Sequence, residues 1–199
     1  MADPAERTMS VEEFFEWCET QEDRYELIDG RPVLKDPIPP DERQPGMMAG
    51  AKRRHDRVVV NAIEALGPQL RGGPCSTFTG DIGVRTKIEQ VRRPDVGVEC
   101  GDGDMDGHDA VDPRLVVEVL SPSTKRFDYV GKLIEYQRIP TLLYILLVNP
   151  RAVVVTFAER SEDGWTSRDI ENLDAVIDLP GIGAKLAVAD LYANVTFEA

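Results

Sequence analysis

What this chain lacks narrows its chemistry before any motif is read. It has three cysteines, Cys18, Cys75 and Cys100, an odd number with no Cys-x-x-Cys pair. That pattern argues against a zinc site or a disulfide frame and predicts reduced thiols in a cytoplasmic protein. No apolar run reaches the roughly 18 residues of a membrane span. Met1 to Arg7 are polar and acidic, so no signal peptide is expected. Positive charge is scarce as well: 23 Lys and Arg stand against 36 Asp and Glu, a net charge of −13. This weighs against broad electrostatic binding to nucleic acid, which needs a basic face. It leaves room for a locally basic cleft, because basic residues cluster at Lys52-Arg53-Arg54, Arg92-Arg93 and Lys125-Arg126. The plainer reading of each cluster, and the favoured one for any taken singly, is solvated surface.

What is present is the composition of a soluble globular protein, 42% hydrophobic and 30% charged. The 199 residues suit one domain over 1–199, with 1–9 as a flexible lead. Ser10-Val11-Glu12-Glu13 fits a capping box, which opens a helix to about Cys18. Asp29-Gly30 marks a hairpin between Tyr25 and Leu34. Residues 36–50 hold four prolines and form a loop. Val59, Ile63, Leu66 and Leu70 recur at helical spacing from about Lys52, until Gly72-Gly73-Pro74 stops them. Strands are expected at 75–79, 82–88, 94–100 and 114–120. A helix at about 126–138, a strand at Leu142–Val148 and a return at Ala152–Phe157 follow, then short strands near 165–170 and 174–179 and a segment around Val188–Tyr192. This is an α/β pattern with a mixed sheet, because strand–helix–strand over 114–148 favours a parallel pair.

One stretch asks for a partner. Leu115-Val116-Val117-Glu118-Val119-Leu120 reads as a buried strand with one carboxylate inside it. Such a carboxylate costs several kcal/mol unless a metal, a cation or backbone donors neutralise it. Asp95 opens the preceding strand, and two carboxylates from adjacent strands can converge on a magnesium ion. Such an ion activates water and stabilises charge on a phosphodiester. Asp95 alone reads equally as a strand-end cap or an ion-pair partner of Arg92 or Arg93; for Glu118 a buried pair with Lys132 is the lesser alternative. Asp102-Gly103-Asp104-Met105-Asp106-Gly107 begins like a calcium loop, but Pro113 stands where the closing Glu belongs. It is read as an acidic connector. Gly181-Ile182-Gly183 is too short for a dinucleotide fingerprint.

Taken together, Glu26-Leu27-Ile28-Asp29-Gly30, His55, Arg93-Pro94-Asp95-Val96, Val117-Glu118-Val119-Leu120-Ser121-Pro122-Ser123-Thr124, Asp128, Lys132, Tyr136 and Leu147-Val148-Asn149-Pro150 resemble the Uma-two family of restriction endonucleases, within the PD-(D/E)xK nuclease-like superfamily. The resemblance runs from about residue 10 to 195. It implies a restriction-endonuclease-like αβββαβ core with an extra N-terminal hairpin and C-terminal strands. It also implies a Mg²⁺ site, for which Mn²⁺ would substitute. Asp95 and Glu118 would hold the ion, with the Val119 carbonyl as a further ligand. Leu120 stands where the superfamily's Lys would be, which moves that role to Lys132 on the next helix, or to Lys125. Glu26 would be a third acid, His55 would line the cleft, and Asp81 is a weaker candidate. The implied activity is hydrolysis of DNA phosphodiesters. A homodimer is expected on two further grounds: the apolar strand Leu142–Val148 and its hairpin partner offer sheet edge, and nucleases acting on duplexes often pair their active sites. Two rivals stand beside that activity. One is a catalytically silent binding or assembly module of the same fold, and the other is a hydrolase of a small phosphorylated substrate.

Overall fold

Ser10 caps the first helix, α1 (Val11–Cys18), in the reciprocal box its sequence predicts. The Ser10 hydroxyl accepts from the Glu13 amide, and the Glu13 carboxylate accepts from the Ser10 amide. Strands β1 (Tyr25–Ile28) and β2 (Arg31–Leu34) form a hairpin. Its corner residues, Asp29 and Gly30, have φ of 48° and 75°, the paired positive values of a tight hairpin turn. The structure, a computed structural model, describes residues 8–35, 53–120 and 126–197, with only the backbone described at 126–129. The expected loop at 36–50, and Lys52, Ser121 to Thr124 and Lys125, lie outside the described residues.

The chain continues through α2 (Arg53–Leu70), β3 (Cys75–Thr79), β4 (Val84–Lys87), β5 (Gln90–Arg92), β6 (Val96–Cys100), β7 (Pro113–Val119), α3 (Arg126–Tyr136) and β8 (Tyr144–Asn149). It ends with β9 (Val154–Ser161), β10 (Gly164–Ile170), β11 (Val176–Leu179), a 3-10 turn at Pro180–Ile182, β12 (Ala184–Ala187) and α4 (Val188–Leu191). The main sheet has six strands in the order β10-β9-β8-β7-β6-β3. Only β7 and β8 run parallel within it, joined by α3, so the fold is mixed α/β with a mixed sheet. Reading α2, β3, β6, β7, α3 and β8 in order gives the αβββαβ core.

Strand alternation in β7 sorts the interior into two sides. Leu115, Val117 and Val119 pack with Val58, Ala62, Leu66 and Leu70 of α2. Val116 faces the other way, onto Tyr136 of α3 with Leu142, Ile145 and Leu147. Glu118 therefore shares the α3 side. A third apolar cluster joins α1 to the second sheet through Phe14, Phe15, Leu27 and Val91.

Four sequence expectations change. The segment read as one strand at 82–88 is the first arm of a hairpin, β4–β5, which leaves the main sheet and completes a four-stranded sheet β2-β1-β5-β4. Its corner, Ile88-Glu89, carries none of the usual turn residues, which is why it reads as strand. Met9, assigned to a flexible lead, is buried with α1, and its amide donates to the Gly30 carbonyl at 2.8 Å. Cys75 and Cys100 are not reduced thiols: they stand opposite each other on β3 and β6 and form a disulfide. Spacing along the chain cannot reveal a cross-strand register. The expectation of a reducing cytoplasm loses that support, leaving Cys18 as the free thiol. Finally, the apolar strand expected to offer a sheet edge is β8, which is interior. The edges of the large sheet are β3 and β10. No helix among the described residues is long and apolar enough to cross a membrane.

Candidate active site

The antiparallel ladder between β6 and β7 starts at Val96↔Val117. Asp95 and Glu118 are the next residues outward, so both carboxylates sit at one end of neighbouring strands. The Val119 amide, freed from the ladder, donates instead to Asp95 Oδ2 at 2.8 Å. The N–H and C=O of a strand residue point to the same edge, so the Val119 carbonyl also faces the Asp95 side.

Among the described residues Asp95 has two further side-chain partners. His55, on the first turn of α2, brings Nε2 to 3.2 Å from Oδ2. Lys35, just past β2, brings Nζ to 2.9 Å from Oδ1. Burial alone would raise the proton affinity of Asp95, but the His55 contact, the Lys35 charge and the Val119 amide outweigh it. The carboxyl is held well below the usual aspartate range.

Glu118 is in the opposite state. Tyr136 donates its hydroxyl to Oε1 at 2.7 Å, and Lys132 Nζ lies 3.3 and 3.4 Å from the two oxygens. Burial nevertheless dominates, and the nearby charges of Asp95 and Glu26 add to it, so the Glu118 pKa is raised despite Lys132. The Tyr136 hydroxyl is pushed well above its ordinary value, by burial first and then by the charge of Glu118. For Lys132, burial favours the neutral amine, yet the carboxylates of Glu118 and Glu26 win and keep it an ammonium.

Glu26, on β1, joins the two sheets at this point. Its Oε1 accepts the Arg93 amide at 3.0 Å and lies 3.7 Å from Lys132 Nζ. Its Oε2 accepts from Arg92 at 2.7 Å, and Arg92 also grips Glu135 of α3 through two bonds, at 2.7 and 3.1 Å. Burial opposes ionisation of Glu26, but Lys132 and Arg92 hold its pKa below the usual value. The Arg93 guanidinium donates to the carbonyls of Tyr25, Gly80 and Asp81, which pins β1 to the β3–β4 turn.

Glu26, His55, Asp95, Glu118 and Lys132, all singled out in the sequence, thus meet in one buried cluster. The Asp81 side chain does not join it. It is exposed and lies 4.0 Å from Arg24, because the turn directs only its carbonyl inward. Lys125 and the Asp128 side chain lie outside the described residues. Three contacts were not foreseen: Lys35 on Asp95, Arg92 between Glu26 and Glu135, and, although Tyr136 itself stands in the family pattern, its hydroxyl on Glu118. Arg92 carried a signal, since its basic pair with Arg93 sits beside Pro94-Asp95. Lys35 carried none, since a lysine leading into a proline-rich loop looks like surface.

The donor set suits a hard cation. Asp95 and Glu118 supply carboxylate oxygens and Val119 a carbonyl, and magnesium takes few protein ligands and keeps several waters. Among the described residues no three His, Cys, Asp or Glu side chains converge to hold a metal unaided. Among the described residues, Glu26, Asp95, Glu118 and Glu135 are met by three cationic side chains, Lys35, Arg92 and Lys132, so most of the cluster's negative charge is already compensated.

The uncharacterized protein slr1290 of Synechocystis sp. is 30% identical over 192 residues, covering 95% of this chain and 94% of that one. A crystal structure from Anabaena variabilis, described as a "putative nuclease belonging to DUF820", superposes with a TM-score of 0.68 over 93% of this chain and 98% of that one. At 16% identity that likeness shows a common fold. The profile of the Uma2 family, described as "Putative restriction endonuclease", matches residues 11–189. That span runs from α1 into α4 and takes in every element that builds the buried cluster, and the chain belongs to the Uma2 family.

Proposed function

We propose that this protein is a Mg²⁺-dependent nuclease that hydrolyses phosphodiester bonds in DNA. The observation that carries the reading is the pairing of Asp95 and Glu118 at adjacent strand ends, with Lys132 on Glu118. Asp95, Glu118 and the Val119 carbonyl would hold the ion, with Mn²⁺ as a substitute. The ion supplies Lewis-acid stabilisation of the phosphoryl oxygens and a more acidic water. Lys132, fixed as an ammonium, is a poor proton acceptor. It orients the attacking water through its N–H bonds and offsets the negative charge that builds as the P–O bond breaks. Glu26 positions Lys132. His55 fixes Asp95 and lines the approach from α2.

The test is cleavage of supercoiled and linear DNA in Mg²⁺ or Mn²⁺ by wild type, Asp95→Ala and Glu118→Ala. Cleavage by wild type that both variants lose supports the reading. Absence of both cleavage and divalent-ion binding in the wild type overturns it. One observation favours a second reading, a nuclease fold that binds or assembles without cutting. Lys35, Arg92 and Lys132 already pair with the four carboxylates of the cluster among the described residues. Divalent-ion calorimetry on wild type and Glu118→Gln separates the two, since a silent module folds normally and shows no metal-linked heat. A homodimer would let two such sites reach both strands of a duplex, and sedimentation equilibrium tests this.

A further inference from the structure

We propose that Lys35 is a built-in counter-ion of Asp95, which fills the cation position of the site and competes with a divalent ion for it. The inference rests on the metal-dependent reading above.

Lysine is rarely drawn fully out of water, because its ammonium is strongly hydrated and its stem is long enough to reach the surface. Lys35 is an exception: its side chain is 4% exposed, and its Nζ lies 2.9 Å from an oxygen of Asp95, itself 9% exposed. The fold makes way for it. The Lys35 amide donates to the Arg24 carbonyl at 2.9 Å, which fixes the chain at the end of the β1–β2 hairpin. The side chain then passes over Gly80, in the turn between β3 and β4. A Cβ at Gly80 would lie 3.0 Å from Lys35 Nζ and 3.1 Å from the Pro94 carbonyl oxygen. The turn is bare backbone at the point where the ammonium crosses it.

The position is also central. Lys35 touches Asp95, and its charge also acts on Glu118, the second carboxylate that would hold an ion. Lys132 serves a different pair, Glu118 and Glu26. An ammonium against Asp95 and a divalent ion on the same carboxylate repel each other at short range in a site with little water to screen them. Binding the ion therefore requires Lys35 to leave Asp95, and part of the affinity for the ion is spent on that displacement. Removing the ammonium while keeping the apolar stem removes the competitor.

The test is calorimetric titration of the purified full-length protein with MnCl₂, with thermal melts run in parallel, on wild type, Lys35→Met and Lys35→Arg. The expected result is Mn²⁺ binding about tenfold tighter in Lys35→Met, with a larger Mn²⁺-induced rise in its melting temperature. Lys35→Arg, which keeps the charge, stays near wild type. Equal or weaker binding in Lys35→Met overturns the inference while leaving the metal-dependent reading intact. No Mn²⁺ binding by any of the three proteins overturns both. Should Lys35→Met fail to melt cooperatively, reductive methylation of wild type decides. Lys35, read by peptide mass spectrometry, should be protected without Mn²⁺ and modified faster with it. A rate unchanged by bound Mn²⁺ overturns the inference.

Discussion

Asp95 and Glu118 stand side by side at the same end of two paired strands, and both are carboxylates withdrawn from water. Their surroundings differ in how the available cations are shared. Asp95 has Lys35 on one oxygen, with His55 and the Val119 amide on the other. Among the described residues, Glu118 divides its one direct cation, Lys132, with Glu26. Burial is the same kind of penalty for both; the supply of compensation is not. The difference teaches that a fold sets the charge state of a carboxylate through what the neighbouring loops and helices bring to it, more than through its depth.

The sharpest way to break the comparison is to neutralise each acid in turn. Asp95→Asn leaves the Lys35 ammonium buried without its partner, and the expected loss of stability in urea unfolding is about 3–5 kcal/mol. Glu118→Gln removes a carboxylate that the fold already disfavours, so its loss should stay under about 2 kcal/mol. Equal losses would show that the two environments are not distinct.

The same two variants should separate in their pH dependence. The pKa of Asp95 is lowered on folding, so its contribution is present above the ordinary value of 3.8 and is lost as the pH falls through its lower folded value. The pKa of Glu118 is raised on folding, so its contribution is fully present below 4.5 and is lost as the pH rises through its higher folded value. Melting temperature against pH should therefore flatten on the acid side in Asp95→Asn and above pH 4.5 in Glu118→Gln.

The disulfide offers a second contrast. Cys75 and Cys100 are 25 residues apart and enclose Asp95, whereas Glu118 lies outside the ring. The Cys75→Ser, Cys100→Ser double variant should lose about 3 kcal/mol in the chain-entropy view. Hydrogen exchange should rise first within residues 75–100. Uniform loosening of both carboxylate sites would remove the contrast. A smaller effect is expected from Tyr136→Phe, which deletes one buried donor to Glu118 and should cost about 1–2 kcal/mol. The smallest is Asp81→Ala, at an exposed position, within about 0.5 kcal/mol of wild type in the same unfolding assay.

Much of this architecture was legible in the chain. The Ser10 cap, the Asp29-Gly30 corner, the periodicity of α2 and the Val-rich β7 are each dictated by local chemistry, and each appears where that chemistry puts it. The two acids and Lys132 were legible because a carboxylate inside an apolar run demands a partner. What escaped depends on contacts between distant segments. The Ile88-Glu89 corner, the Cys75–Cys100 register and the passage of Lys35 over Gly80 are products of tertiary packing. None of them leaves a pattern within a window of ten or twenty residues.

The alternation of β7 has a consequence for how this chain can vary in length. Successive side chains of β7 point alternately toward α2 and toward α3, so removing or adding one residue within it would turn Glu118 into the α2 core and bring an aliphatic side chain to its place. The exposed part of the acidic connector, Asp102–Asp106, carries no strand alternation, and the pairing of β6 with β7 already accommodates a register shift between Val98 and Glu99. Insertions and deletions should therefore be tolerated between Asp102 and Asp106, ahead of the anchored residues 108–112, and forbidden from Leu115 to Val119. A deletion scan read out by soluble expression would trace that boundary directly.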